Sequence, residues 1–134
     1  MILKSLIGLG KVLTATGKPN EAEPFLREAL DGYRKKMPAG HWSSAEAESV
    51  LGACLAAQGR FLDAEPLLLQ SYQILENASG ATATGRKRQA AERIIKLYDA
   101  WSKPEKSAAW RKKLEATLDI QKGIANNPPL QPPR

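Results

Sequence analysis

The chain has 134 residues, enough for one ordinary domain, and with 43% apolar but only 6% aromatic residues its core must rest on Ala, Leu and Ile, which argues against a β-sandwich. Twenty Lys and Arg against 14 Asp and Glu leave a net charge of +6, a mild bias toward anionic partners. A single Cys54 excludes an intramolecular disulfide and a cysteine-based zinc site, and no apolar run approaches the ~20 residues that span a bilayer.

The opening MILKSLIGLG is too short and too broken by Lys4 and its glycines to read as a signal peptide, so a cytoplasmic protein, or a piece of one, is expected. The first helix is predicted over Leu3–Thr16, with Leu6, Leu9 and Leu13 as its best apolar face, supported by Val12. Gly17 closes it as a residue able to take positive φ. The second helix runs from Pro19 to Met37. Its apolar positions Ala22, Phe25, Leu26, Ala29, Leu30 and Tyr33 form one α-helical stripe. Pro24 is placed near the first turn, where a missing N–H matters little. Pro38 and Gly40 stop this helix.

The third helix is predicted over Ser43–Gln58, started by a capping box of Ser43 and Glu46. Ala47, Val50, Leu51, Cys54 and Leu55 make its buried face, and Gly59 ends it. The fourth runs from about Phe61 to Asn77, with Ala64, Leu67, Leu68, Ser71, Tyr72 and Leu75 at the same six offsets as the second. Ala78 to Gly85 is a small-residue linker. The fifth helix is expected from about Arg86 to Trp101 and the sixth from about Pro104 to Lys122. Residues 123–134, with four prolines and no periodicity, read as a disordered tail.

The organising feature is an internal repeat. GKPNEAEPFLREALDGY, from Gly17 to Tyr33, returns forty-two residues later as GRFLDAEPLLLQSYQIL, from Gly59 to Leu75. One supersecondary unit stacked on itself accounts for such self-similarity. A third unit follows with one more residue of spacing, less faithfully: Ser102 stands at the turn, Ser107 at the small-residue position, and Arg111 where Leu26 and Leu68 stood. The expected fold is therefore all-α: a right-handed α-solenoid of three helix-turn-helix hairpins over residues 1–122, with repeats at about 3–40, 43–79 and 86–122.

Chemistry is hard to find. One His and one Cys stand far apart, no Gly-rich phosphate loop occurs, and carboxylate pairs such as Glu21/Glu23 and Glu46/Glu48 point different ways on a helix. They read as solvated or capping charges. No enzyme activity, cofactor or metal is expected. A nucleic-acid surface would want the basic segments at 34–36, 86–88 and 111–113 on one face with aromatic platforms between them; in a stacked array they need not align, so nucleic acid is not the expected partner.

The repeat resembles the tetratricopeptide repeat. The features that carry this are Leu9-Gly10 and Leu51-Gly52 within the first helices of the hairpins, Gly17-Lys18 and Gly59-Arg60 at the turns, and Ala-Glu-Pro at 22–24 and 64–66. The family's usual period is ~34 residues. The longer spacing here, with Gly40-His41 and Ala45 in the linker, resembles the kinesin-light-chain type. The closing segments Leu97–Trp101 and Trp110–Leu114 resemble the C-terminal repeats of bacterial Ser/Thr kinases and related signalling proteins. This resemblance implies a non-catalytic scaffold that binds a peptide or protein segment on the concave face of the first helices of the hairpins. It carries over as groove positions Lys4, Ile7, Lys11 and Thr14; Glu46, Ser49, Ala53 and Ala56; and Gln89, Glu92, Lys96 and Asp99. Ile7 and Ser49 stand where some members place the Asn of a carboxylate clamp. The alternative is a homo-oligomerisation module of a larger protein, self-associating through Met1, Leu3, Leu6 and Ile7, since solenoid ends need polar caps.

Overall fold

The computed structural model describes residues 2–78, 80 and 83–126, with side chains placed as far as Leu118. Six helices fill these residues: α1 (Ile2–Ala15), α2 (Pro19–Lys36), α3 (Trp42–Ala57), α4 (Phe61–Asn77), α5 (Ala83–Ala100) and α6 (Pro104–Asn126). No strand occurs among the described residues. The fold is an all-α solenoid of three helical hairpins.

The repeat is visible in the backbone of the turns. In each hairpin the first helix ends in the same two hydrogen bonds, one of them from the N–H of Gly17, Gly59 and Ser102 to the carbonyls of Thr14, Ala56 and Asp99. Lys18, Arg60 and Lys103 donate their N–H to the carbonyls of Leu13, Leu55 and Tyr98 at 2.7, 2.9 and 2.9 Å. The preceding residue, at Gly17, Gly59 and Ser102, takes φ of 83°, 79° and 59°. This is a Schellman closure, which needs a left-handed residue and so favours glycine. The third unit keeps the geometry and puts a serine in it.

Small residues set the packing within the first two hairpins. A Cβ added at Gly52 would lie 2.7 Å from Leu68 Cγ, and one at Gly10 would meet Leu26 more closely still. Leu26 and Leu68 are fully buried in these notches. Ala22 and Ala64 are likewise buried, as is Ser107 in the third unit. The glutamate of each Ala-Glu-Pro motif reaches into the next hairpin. Glu23 accepts from Gln58 Nε2 at 2.9 Å and pairs with Arg60 Nη1 at 3.1 Å. Glu65 accepts from the Tyr98 hydroxyl at 2.8 Å and pairs with Lys106 at 3.7 Å. Glu23 is thus a tie between repeats and not a solvated charge. The Gln58 hydrogen bond, with Arg27 and Arg60 nearby, holds its carboxyl below the usual value despite some burial.

Several sequence expectations change. Helix α3 is capped by His41, whose Nδ1 accepts from the Ser43 N–H at 3.1 Å. Ser43 is buried as a helical residue, so no capping box forms with Glu46. Pro24 and Pro66 lie inside their helices, past the first turn. Both are exposed, as are Asn20 and Leu62 four residues before them, so the carbonyls freed there lie on the solvent side. Helix α5 starts earlier than expected, at Ala83, and α6 continues to Asn126, because no proline intervenes before Pro128. The rest of the expected tail, 127–134, lies outside the described residues.

Helix α1 departs most. Ile7 and Gly10 are its buried residues, flanked by Leu6 and Leu13 packed on the core. Leu3 lies against Gly32 of α2. Leu9 and Val12, expected inside, are 42% and 59% exposed. Of the residues expected for self-association, Ile7 is buried, Leu6 and Leu3 are half-buried against the hairpin, and Met1 lies outside the described residues.

Candidate functional site

The stacking creates one continuous face. The backbones of α1 and α3, and of α3 and α5, run close together, whereas no Cα of α2 comes within 8 Å of α4, nor any of α4 within 8 Å of α6. A layer that is tight on one side and spread on the other curves toward the tight side. The α1–α3–α5 surface is the inner one.

Two adjoining pockets open on it. One, of about 410 Å³, lies between α1, α3 and the start of α5, bordered by Lys4, Ile7, Tyr33, Trp42, Glu46 and Arg86. The Arg86 guanidinium stacks 3.5 Å over the Trp42 ring and reaches Glu46 at 3.8 Å. Lys11 pairs with the same carboxylate at 3.4 Å and borders both pockets. The second pocket, of about 360 Å³, has a wall of small residues that includes Ala15, Ala57 and Ala100, which share one register across the three units. Thr14, Val50, Ala53 and Ala56 add to this wall, and Arg93 and Lys96 line it from α5.

Of the groove positions carried over from the resemblance, Lys4, Ile7, Lys11, Thr14, Glu46, Ala53, Ala56 and Lys96 border these pockets. Four do not. Ser49 is fully buried and accepts from Arg93 Nη1 at 3.0 Å. Asp99 turns to α6, where it receives the Ser107 hydroxyl and the Arg111 guanidinium. Glu92 pairs with Arg88 at 3.7 Å, and Gln89 is exposed beside it. Helix α5 is rotated so that Arg86, Arg93 and Ala100 face the groove beside Lys96, in place of Gln89, Glu92 and Asp99. Arg93, Arg86, Trp42 and Tyr33 were missed. The recurrence of alanine at 15, 57 and 100 was the signal that could have set the rotation. Burial holds the Arg93 guanidinium below the usual arginine value, and Glu46 and Glu92 oppose that shift.

The basic segments are engaged within the fold. Arg34 pairs with Glu48, Lys35 with Asp31, Arg111 with Asp99 and Lys113 with Glu76. Cys54 is a buried core residue whose thiol donates to the Pro19 carbonyl at 3.1 Å, and burial pushes that thiol up. Among the described residues no group of three His, Cys, Asp or Glu could hold a metal ion. None of their helices is long and apolar enough to cross a membrane.

Residues 2–43 match the family model of the tetratricopeptide repeat, which covers the first hairpin and the entry to α3. No curated protein and no solved structure matches the chain. The match, with a second hairpin repeating the first in register, supports a protein of tetratricopeptide type. Such repeats act as non-catalytic scaffolds for protein–protein contact.

Proposed function

We propose that this chain binds a peptide or protein segment along the face of α1, α3 and α5. One observation carries the reading: two pockets adjoin on the single inner face, with cationic and aromatic side chains at their borders and small apolar ones between. The setting this fits is a cytoplasmic module of the long-period, kinesin-light-chain type, within a larger bacterial signalling protein. A random-peptide display screen against the chain should return binders. Lys11→Glu and Lys96→Glu should each weaken them while the solution mass and helical circular dichroism stay unchanged. Binders indifferent to both changes would place the contact elsewhere.

A second reading is self-association through α1, and a specific observation favours it. Ile2, Leu9 and Val12 are exposed apolar residues, at 76%, 42% and 59%. Shifted by one repeat they become Ser44, Leu51 and Cys54, all buried in the second hairpin. There α2 lies against α3. The outer face of α1 is therefore built like a surface that another helix covers. Light scattering over a concentration series tests this: a dimer that Leu9→Glu with Val12→Glu dissolves supports it, and a constant 14.6 kDa species removes it.

A further inference from the structure

Seven arginines lie among the described residues, and six of them form an ion pair. Arg27 and Arg60 pair with Glu23, Arg34 with Glu48, Arg86 with Glu46, Arg88 with Glu92 and Arg111 with Asp99. Arg93 alone has no carboxylate within pairing distance. It is also half-buried, and only the more distant Glu46 and Glu92 carboxylates offset its charge. A guanidinium carries five N–H donors. Arg93 gives one to a neutral acceptor, the fully buried Ser49 hydroxyl. That bond anchors the side chain, which lines the alanine-walled pocket and has no other protein acceptor for its remaining donors among the described residues. Lys96, four-fifths of a turn further on, also lines this pocket without a carboxylate partner. The third cation, Lys11, is turned to Glu46. No acidic residue and no aromatic ring lines the pocket.

We propose that this pocket is an anion-recognising subsite, in which Arg93 and Lys96 take an acidic side chain of a bound peptide segment and the alanine wall takes a small apolar neighbour. The inference rests on the peptide-binding reading and adds the chemistry of the partner. A pre-oriented guanidinium with free donors matches a carboxylate in two bonds at once. The wall of Ala15, Ala57 and Ala100 leaves depth for a short side chain. A single-stranded nucleic acid would want stacking rings beside the cations, and the pocket has none.

The test uses fluorescence anisotropy with three labelled dodecapeptides that alternate alanine with glutamate, glutamine or lysine, and with a labelled single-stranded oligothymidylate. The glutamate peptide should bind about tenfold tighter than the glutamine peptide, a charge-assisted gain in place of a neutral one. Arg93→Gln and Lys96→Glu should each reduce that affinity about three- to tenfold and leave the glutamine peptide unchanged. Lys96 is exposed, so its substitution stays informative should Arg93→Gln disturb the fold. Lys112→Glu on α6 makes the same charge change away from the pocket and should have no such effect. Equal binding of the glutamate and glutamine peptides would overturn the anion subsite and leave peptide binding standing. Binding of none of the three would overturn both. Oligothymidylate bound more tightly than the glutamate peptide would overturn the subsite in favour of a nucleic-acid surface.

Discussion

The first two hairpins and the third solve one packing problem in opposite ways. In the former, a glycine notch on the first helix receives a leucine from the second: Gly10 takes Leu26 and Gly52 takes Leu68. In the third, Ile95 stands in the glycine position and Arg111 in the leucine position. Ile95 is buried, and Arg111 turns outward to Asp99. The apolar bulk has crossed from one helix to the other, and the vacated place has become an ion pair. The turn geometry and the buried small residue are kept. What the repeat holds constant is the backbone path and the volume between the helices, not the identity of the side chain that fills it.

The largest effect that would break this comparison is Leu68→Arg. It places a charge in a fully buried notch and should cost about 4 kcal/mol, read from chemical denaturation. Adding Gly52→Ile and Ala56→Asp transplants the third hairpin's arrangement of Ile95, Asp99 and Arg111. The triple variant should recover about 1–3 kcal/mol relative to the summed single changes. Strict additivity would show that the third unit's arrangement depends on its surroundings and not on these residues.

A smaller effect tests the tie between the first two hairpins. Glu23→Gln should cost about 1–2 kcal/mol at neutral pH, because the Gln58, Arg27 and Arg60 interactions favour the carboxylate. The folded state holds this group below its usual value of 4.5, so its contribution is complete above that value. It is lost as pH falls through 4.5 and past the lowered folded value. Denaturation of the two proteins at stepped pH should show the gap closing on the acid side, and a pH-independent gap would refute the tie. The smallest effect is at Ser102, which holds the left-handed conformation that Gly17 and Gly59 adopt freely. Ser102→Gly should stabilise the chain by about 0.5–1 kcal/mol and raise Tm by about 2–4 °C. Gly59→Ser should do the reverse.

Much of the fold was legible because the repeat and the 3.6-residue period are local signals. Gly17 and Gly59, the Ala22/Ala64 position and the paired stripes of α2 and α4 located four helices and their turns. The His41 cap was not legible, since Ser43 and Glu46 offered the commoner motif and only the bend at Gly40 brings the imidazole over the helix end. The orientation of α1 was obscured for a different reason. Leu9 has the pattern of a core residue because its counterpart Leu51 is one, but Leu51 is buried in a hairpin that follows another, whereas Leu9 is 42% exposed. At the candidate site, the positions that the family resemblance implied on α1 and α3, among them Lys11, Glu46 and Ala53, border the pockets. On α5 the resemblance reached Lys96 but not Arg86 or Arg93, because the rotation of that helix is fixed by contacts far apart in sequence: Arg86 on Trp42, Arg93 on Ser49, and Asp99 drawn to Arg111.

The unequal layers also define how the molecule yields under load. The inner helices touch along their backbones, whereas the outer ones meet through long side chains. Between α4 and α6 the Tyr72 and Trp110 rings sit 4.8 Å apart at a right angle, and Lys106 and Lys113 reach Glu65 and Glu76. Helix α2 reaches α4 at its N-cap, where Glu23 pairs with Arg60. The stack is a book bound at the α1–α3–α5 spine with its pages clipped together. Load across the stack is therefore met by different groups at its two junctions: Glu23 with Gln58 and Arg60 between the first and second hairpins, and the Tyr72–Trp110 rings with the Glu65 and Glu76 pairs between the second and third.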